Sequence, residues 1–234
     1  MIIPALNEEQ TVGDVVRGVF GALGAMASGG GPIEVIVIDG GSTDATARQA
    51  ELAGATVLRR PREGKGRSVR AGFARARGEV LVLMDSDGQD VPSELPSLLS
   101  AFRSSGADFV SGSRFLGTFR EKGISRVDRW GNRALTWLAN LLVGCRLSDI
   151  NASYRVMRRR AMSSFDWRFE EFEVESEMIL KAARAGLEIL EVPVTRERRL
   201  GGVRKFRKVR HGCRILLTIL RVRFLWKPPK AATK

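Results

Sequence analysis

The chain has 234 residues, of which 44% are hydrophobic and 28% are charged, a composition typical of a globular α/β domain and not of a disordered chain. The net charge of +13 is concentrated in the last segment, because residues 198–234 hold 13 Lys and Arg and no acidic residue, whereas the rest of the chain is neutral overall. Such a basic segment indicates an anionic partner, either a nucleic acid or an anionic membrane surface.

No signal peptide or membrane span is evident in the sequence. The apolar run at residues 134–145 is well short of the ~20 residues that a spanning helix needs. Cys145 and Cys213 are far apart, with no histidine at ligand spacing, which argues against a disulfide framework and a zinc site. We therefore expect a soluble or peripheral protein of a reducing compartment.

Strands alternate with helices over the first 105 residues. Strands are predicted at residues 1–3, 33–39, 55–60 and 79–84, and helices at about residues 11–20, 44–53, 70–77 and 92–102. The β-branched run at 33–39 is typical of a strand that is covered on both faces of a parallel sheet. This alternation predicts an α/β fold with an open, mostly parallel sheet flanked by helices. Such sheets bind ligands in the crevice at the carboxyl ends of their strands.

The second half of the chain is less regular. A strand and loop are predicted at 107–115, an apolar helix at 129–144, a helix at 171–185 and a last strand at 187–195. The pattern predicts one domain over residues 1–200, followed by a basic amphipathic tail over residues 201–234.

An acidic segment, "MDSDGQD", directly follows the predicted strand at 79–84. Asp85, Asp87 and Gln89 alternate along extended backbone, so their oxygen atoms can converge on one side. Hard oxygen ligands of this kind suit Mg²⁺ or Mn²⁺ that also bridges phosphate oxygens. The alternative is a solvated turn or a cap for the next helix, a role that suits Asp90 better than the other three.

Other polar residues follow neighbouring strands at the same predicted edge. Asp39 could bond a nucleobase or ribose, or cap the next helix. Lys65 lies between two glycines that let the backbone approach a ligand closely, and Arg114 offers a guanidinium for a phosphate. A further cluster is either a structural network or part of an acceptor site; its members are Asp149, Asn151 and Arg155.

Six motifs occur in the order found in one enzyme family. They are "IIPALNEE", "VIDGGSTDAT", "GKGRSVRAGFARARGEVLVLMDSDGQDVPSEL", "GSRF", "LSDINASYRVMRR" and "EVPVTRERRLGGVRK". Over about residues 1–208 the chain resembles glycosyltransferase family 2, and within it the polyprenol-phosphate sugar transferases of the dolichol-phosphate mannose synthase group. The resemblance implies a GT-A fold, a nucleotide-diphosphosugar donor (a GDP- or UDP-hexose), Mg²⁺ or Mn²⁺, and transfer with inversion.

Matching motif positions carry the family's roles to this chain. The resemblance implies donor binding by Pro4, Leu6, Glu8, Ile38, Asp39, Asp85 and Ser86, and Lys65, in its glycine-flanked loop, is expected to join them. The resemblance also implies a metal site at Asp85, Asp87 and Gln89, and catalytic roles for Asp87, Arg114, Arg199 and Lys205. Asp149, Asn151 and Arg155 are the candidates for an acceptor site, with a structural network as the open alternative.

Two acceptor classes remain open. A polyprenyl phosphate is ionised at neutral pH and needs no strong base. Cationic side chains would then only have to screen the repulsion between this phosphate and the diphosphate of the donor. A hydroxyl acceptor would need a carboxylate to take its proton, typically for a ~10²–10⁴-fold gain in rate, and Asp149 is the candidate.

The tail supports the lipid acceptor. If it is helical, its apolar side chains form one stripe: Phe206, Val209, Cys213, Leu216, Leu217, Leu220 and Phe224. Another stripe holds Arg207, Arg210, Arg214 and Arg221. Such a helix would lie in the headgroup layer of an anionic membrane, which predicts a cytoplasmic protein that is peripheral at the inner face of the cell membrane. The alternatives are that the apolar stripe packs on the protein's own body or on a homodimer partner, or that the chain is a basic nucleic-acid-binding module.

Overall fold

One mixed sheet of seven strands forms the centre of the molecule. The computed structural model describes residues 1–24, 32–119, 125–163, 165–201 and 207–229. The strands are β1 (Ile2–Ala5), β2 (Ile36–Asp39), β3 (Thr56–Arg59), β4 (Val80–Leu83), β5 (Phe109–Ser113), β6 (Arg155–Arg158) and β7 (Ile189–Pro193). Their order is β3-β2-β1-β4-β6-β5-β7. Neighbouring strands are parallel except at β6, which runs antiparallel to both β4 and β5.

Helices cover both faces of this sheet. They are α1 (Val12–Gly24), α2 (Thr46–Leu52), α3 (Lys65–Arg75), α4 (Leu95–Ser105), α5 (Arg126–Val143), α6 (Arg159–Ser163), α7 (Val174–Arg184) and α8 (Lys208–Phe224). Alternate residues of a strand point to opposite faces, and each face has its own core. Ile36 and Ile38 of β2 join the core under α3, α5, α7 and α8, whereas Val37 joins the core under α1, α2 and α4.

The mostly parallel α/β architecture is confirmed, with two local differences from the sequence prediction. Strand β6 was not predicted, because it follows a polar cluster and has only two apolar residues, which lie between two arginines. The predicted loop at Lys65 is the first turn of α3, which starts directly after Gly64 with its positive φ of 97°. The close approach of Gly66 to the backbone of Glu170 fixes this turn against the segment before α7. The glycine-rich sequence also predicts a flexible turn at residues 28–32, which lie almost wholly outside the described residues.

Helix α8 packs on the body, but not through the apolar stripe that the sequence predicted. Its buried side chains are His211, Ile215, Thr218, Ile219 and Val222, and they face α5 and α7. The predicted stripe lies on the opposite side, where Val209, Leu217 and Phe224 are exposed. The alternative in which this stripe packs on the protein's own body is therefore wrong for these residues, and Phe206 lies outside the described residues.

Side chains of the body hold the end of α8. Arg184 donates to the carbonyl of Val222 at 3.0 Å, and the indole of Trp226 donates to Asp166 at 2.7 Å. The division of the chain at residue 200 stays a prediction. In the part of the chain that the structure describes, no helix combines the length and the apolar character that crossing a membrane requires.

Candidate active site

A cleft of about 1330 Å³ opens at the carboxyl edge of the sheet. Residues that follow β1, β4, β5 and β7 line it, together with the first turns of α3, α5, α7 and α8. Because β6 is antiparallel, its amino end also reaches this edge and brings Asn151 and Ser153 into the wall. The cleft therefore lies at the edge where the sequence predicted a ligand site, and ligand binding there stays a prediction.

The loop after β4 forms the floor of the cleft. Ser86 donates its hydroxyl to the carbonyl of Pro4 at 2.9 Å, which ties the loop to β1. Asp90 accepts from the backbone amide of Asp85 at 3.2 Å and from the hydroxyl of Ser153 at 2.8 Å. Asp90 therefore shapes the loop, and the carboxyl groups of Asp85 and Asp87 line the cleft.

Three cationic side chains contact these carboxylates. Lys65 Nζ lies 2.6 Å from Asp85 Oδ1 and also binds Glu175. Arg199 Nη1 donates to Asp87 Oδ2 at 2.9 Å, and its Nη2 donates to Glu8. The predicted metal-site aspartates are thus paired with Lys65, predicted to bind the donor, and with Arg199, predicted to be catalytic.

The third cation, Arg196, was not predicted. Its Nη1 donates to Asp90 Oδ1 at 2.5 Å, and its Nη2 lies 3.9 Å from both Asp85 and Asp87. Nη2 also donates to the side-chain oxygen of Gln89 at 3.0 Å. Arg196 follows the carboxyl end of β7, so the rule that placed the other site residues at this edge could have found it.

Burial and neighbouring charges set the ionisation of this cluster. Burial raises the pKa of Asp87, and the charges of Asp85 and Asp90 add to that rise despite Arg196. Burial also opposes ionisation of Asp85, but the positive charges of Lys65 and Arg196 hold its pKa below the usual value. Burial likewise raises the pKa of Glu175. No feature of the local sequence distinguished Glu175, because its place in the cleft depends on the packing of α7.

The carboxylate groups at the floor of the cleft suit a hard divalent cation. Five carboxylates face the three cationic side chains: Glu8, Asp85, Asp87, Asp90 and Glu175. Among the described residues no group of three or more His, Cys, Asp or Glu is arranged as a ready metal site. Carboxylate oxygens are the ligands that Mg²⁺ and Mn²⁺ prefer, so the residues fit such an ion once the cationic side chains move away.

Two loops form the wall predicted to bind the nucleotide. Asn7 has a left-handed φ of 48°. Its side-chain oxygen accepts from the backbone amide of Thr43 at 2.9 Å, and its backbone amide donates to the hydroxyl of Ser42 at 2.9 Å. The amide of Glu8 donates to Thr46 at 2.8 Å. These bonds fix the loop after β1 against the loop after β2. Among the residues predicted to bind the donor, this arrangement lets Pro4, Leu6 and Glu8 line the cleft.

Ile38 and Asp39 are placed differently from the expectation. Ile38 packs in the core between β2 and α3. Asp39 is buried and accepts from the amide of Ser42 at 3.1 Å, and Gly40 takes its place in the cleft wall. This bond makes Asp39 part of the turn after β2. The alternative in which Asp39 caps the next helix is wrong, because Ala45 is the N-cap of α2.

The predicted acceptor cluster divides in two. Asn151 lines the cleft and donates to the side chain of Asn132 at 2.8 Å. Asp149 is fully buried, with both carboxylate oxygens bound by Arg114 at 2.6 and 2.8 Å. Arg155 is also fully buried and donates to the carbonyls of Glu175 and Ile150. Asp149 and Arg155 thus form a structural network behind the cleft, and Asp149 is badly placed to act as a base.

Arg114 lines the cleft although Asp149 holds it. Lys205, the last predicted catalytic residue, lies outside the described residues. The cleft's outer wall contains further cationic side chains at the start of α8, namely Arg207, Lys208 and Arg210. The amino ends of α5 and α8 also line this wall, and helix amino ends favour anions.

Comparisons with known proteins find similar glycosyltransferases. The chain is 35% identical over 202 residues to the low-salt glycan biosynthesis hexosyltransferase Agl6 of Haloferax volcanii; the match covers 86% of the chain and 48% of that relative. The chain thus spans about half the length of that relative. It is 34% identical over 219 residues to an undecaprenyl-phosphate mannosyltransferase of Micrococcus luteus, covering 86% of the chain and 84% of the relative.

A similar fold occurs in solved structures. Glucosyl-3-phosphoglycerate synthase from Mycobacterium tuberculosis, in complex with Mn²⁺, UDP-glucose and phosphoglyceric acid, superimposes with a TM-score of 0.74 at 25% identity; the match covers 98% of this chain and 80% of the synthase. The family model described as Glycosyl transferase family 2 matches residues 1–165. This match spans well over half of the chain, and together with the identity to the Micrococcus enzyme it shows that the chain belongs to glycosyltransferase family 2.

Proposed function

We propose that this chain is a metal-dependent, inverting hexosyltransferase that moves a hexose from a nucleotide-diphosphosugar to a polyprenyl phosphate. One observation carries the proposal: two aspartates, the half-buried Asp85 and the buried Asp87, lie at the floor of a cleft whose outer wall is cationic. Such a wall suits an acceptor that is itself an anion. The mannosyltransferase relative, named for undecaprenyl phosphate, supports the same acceptor class.

Asp85 and Asp87 would hold the divalent ion, with Gln89 beside them. When bound, this ion neutralises the negative charge that develops on the departing nucleoside diphosphate. Lys65 and Arg199 would leave the carboxylates and contact the phosphates of the donor. Pro4, Leu6 and Glu8 would border the nucleoside.

The acceptor phosphate would approach from the wall built by α5 and α8. Arg207, Lys208 and Arg210 would attract it, and Arg114, held in place by Asp149, would screen the repulsion between the two anions. A phosphate that is already ionised attacks without losing a proton, so this proposal assigns no general base. Lys205 stays a proposed phosphate contact of the same loop region.

A second function is favoured by the structural neighbour, whose complex contains the small molecule phosphoglyceric acid. In this second function the enzyme would transfer the hexose to a hydroxyl group of a small acceptor bound in the same cleft. The proton would then need a carboxylate base, and Asp149 is already bound at both oxygens.

The test is transfer of radiolabelled hexose from GDP- and UDP-sugars, with Mn²⁺ or with EDTA, to polyprenyl phosphate in detergent micelles. We expect label in the organic phase, only with the metal present. Asp87→Asn should lower the rate by at least about 10²-fold, because it weakens the electrostatic stabilisation of the leaving group. Asp14→Asn, at an exposed position on α1, is the matched control and should leave the rate unchanged.

Label that stays in the water phase with a small acceptor would favour the second function. Tight, strongly salt-dependent duplex binding without any sugar transfer would instead favour a nucleic-acid-binding module. Residence at the inner face of the cell membrane and a homodimeric state are further parts of the proposal. Fractionation of cells and light scattering of the pure protein test them.

A further inference from the structure

Helix α5 presents an apolar stripe to solvent. Val127, Trp130, Ala134, Trp137 and Leu141 follow one another at steps of three, four, three and four residues, the spacing of one helix face, and all five are exposed. Trp130 is 74% exposed and Trp137 is 65% exposed. The opposite face of α5, with the buried residues Asp128, Thr136 and Ala139, packs on the body, so the stripe points away from it.

The neighbouring helix α8 repeats this arrangement. Its buried face packs on α5 and α7, and Val209, Leu217 and Phe224 are exposed on the other side. Of the 13 large hydrophobic side chains that are exposed among the described residues, eight lie on α5, on α8 or at Leu225, just after α8. Helices α5 and α8 pack against each other, and their exposed apolar and charged residues, with Leu225, are together named here the α5–α8 face. Scattered exposed apolar residues would need no explanation, but this concentration on two neighbouring helices does.

The charges on this face have one sign. The exposed charged residues of the two helices are Arg126, Arg129, Arg133, Lys208, Arg210, Arg221 and Arg223. The single acidic residue in these helices, Asp128, is buried and lies 3.3 Å from Lys208. A second copy of the chain would bring like charges together on this face, whereas an anionic lipid surface complements it.

The α5–α8 face also borders the mouth of the cleft. Val127 belongs to the stripe and lines the cleft as well. Arg210 of α8 likewise lines the cleft and is exposed. A surface that rests on the α5–α8 face would therefore lie next to the opening through which an acceptor enters.

We propose that the α5–α8 face docks on an anionic lipid bilayer, with Trp130 and Trp137 of α5 inserted at the headgroup level and the cleft mouth turned toward the lipids. This inference rests on the proposed function, because the bilayer would deliver the proposed lipid acceptor to the cleft. It extends the membrane contact from the basic tail to α5, a helix that the sequence marked only as apolar.

The experiment measures binding of the full chain to vesicles of phosphatidylglycerol and phosphatidylcholine that contain no polyprenyl phosphate. The wild type should bind anionic vesicles and not neutral ones, with affinity that falls as salt rises. Trp130→Ser/Trp137→Ser should weaken binding by about tenfold or more, because burying a large apolar side chain contributes roughly this factor or more. Leu52→Ser/Ile33→Ser is the matched control, with exposed apolar residues away from this face, and should bind as the wild type does.

Brominated lipids separate insertion of α5 from binding through α8 alone. They should quench the fluorescence of the wild type, and Trp130→Phe/Trp137→Phe should keep vesicle binding but lose most of that quenching. The other two tryptophans, Trp167 and Trp226, contact Phe165 with ring centroids 5.3 and 5.5 Å away and would supply the unquenched background.

Three results would overturn the inference. The first is a wild-type protein that does not bind anionic vesicles. The second is a Trp130→Ser/Trp137→Ser variant that binds them with the affinity of the wild type. The third is a wild-type dimer that this variant turns into a monomer, which would assign the face to a second copy. Asp87→Asn should bind vesicles normally, so loss of sugar transfer and loss of docking are distinguishable.

Discussion

At the scale of single residues, the site depends on charges that neutralise one another. Arg114 lines the cleft, and Asp149 behind it is fully buried and accepts two hydrogen bonds from its guanidinium. Removing one partner of a buried pair leaves the other charge without compensation, which costs more than the pair contributes. Asp149 therefore supports Arg114 and does not face a substrate.

The substitution Asp149→Ala tests whether Asp149 has this supporting role. We expect the free energy of unfolding to fall by about 3–5 kcal/mol, measured by urea denaturation. Asp108→Ala is the control: Asp108 forms a partly exposed pair with Arg158 at 3.4 Å, and its loss should cost at most about 1 kcal/mol. A variant of normal stability whose sugar transfer alone is lost would contradict the structural role and restore Asp149 as a catalytic base.

At the scale of elements, the donor wall depends on how closely α3 packs on the sheet. Gly72 of α3 faces β1 and β2, and a Cβ atom added there would lie 2.5 Å from Ile2 Cγ2 and 2.8 Å from Ile38 Cδ1. Only a glycine allows this approach without displacing the strands. The same packing holds Lys65, on the first turn of α3, beside Asp85.

Gly72→Ala should therefore destabilise the protein by about 1–3 kcal/mol through overpacking. Gly21→Ala in α1, where nothing lies within 4 Å of the added atom, is the matched control and should stabilise by about 0.5–1 kcal/mol through helix propensity. Chemical denaturation of both variants measures the difference. Equal effects of the two substitutions would show that α3 does not pack as described.

At the scale of the whole molecule, the cleft joins parts of the chain that are far apart in sequence. Arg199 bonds Asp87, 112 positions away, and Glu8, 191 positions away. In this arrangement cationic side chains occupy the carboxylates that the proposed metal needs. Metal and nucleotide should consequently bind together, since the diphosphate gives the displaced cations a new partner.

A thermal-shift experiment measures this coupling. With Mn²⁺ and GDP or UDP at 100 times the dissociation constant, the folded state should gain about 2.7 kcal/mol, seen as a higher Tm. EDTA should abolish the shift, and so should Asp85→Asn with the metal present. A nucleotide shift that is the same in EDTA would contradict a metal-assisted donor site.

The sequence by itself determined the features that depend on neighbouring residues. Its alternating β-branched and amphipathic segments predicted the mostly parallel sheet, because periodicity is local. Its polar residues after strands predicted where Asp85, Asp87 and Lys65 would lie, because the carboxyl ends of parallel strands share one edge.

Only the tertiary structure decided the features that depend on contacts between distant segments. The antiparallel insertion of β6, the burial of Asp149 behind Arg114 and the arrival of Arg196 at the floor each require partners from other elements. The same holds for α5 and α8. Each has two apolar faces, and the packing of the body against one of them determined which face is left exposed.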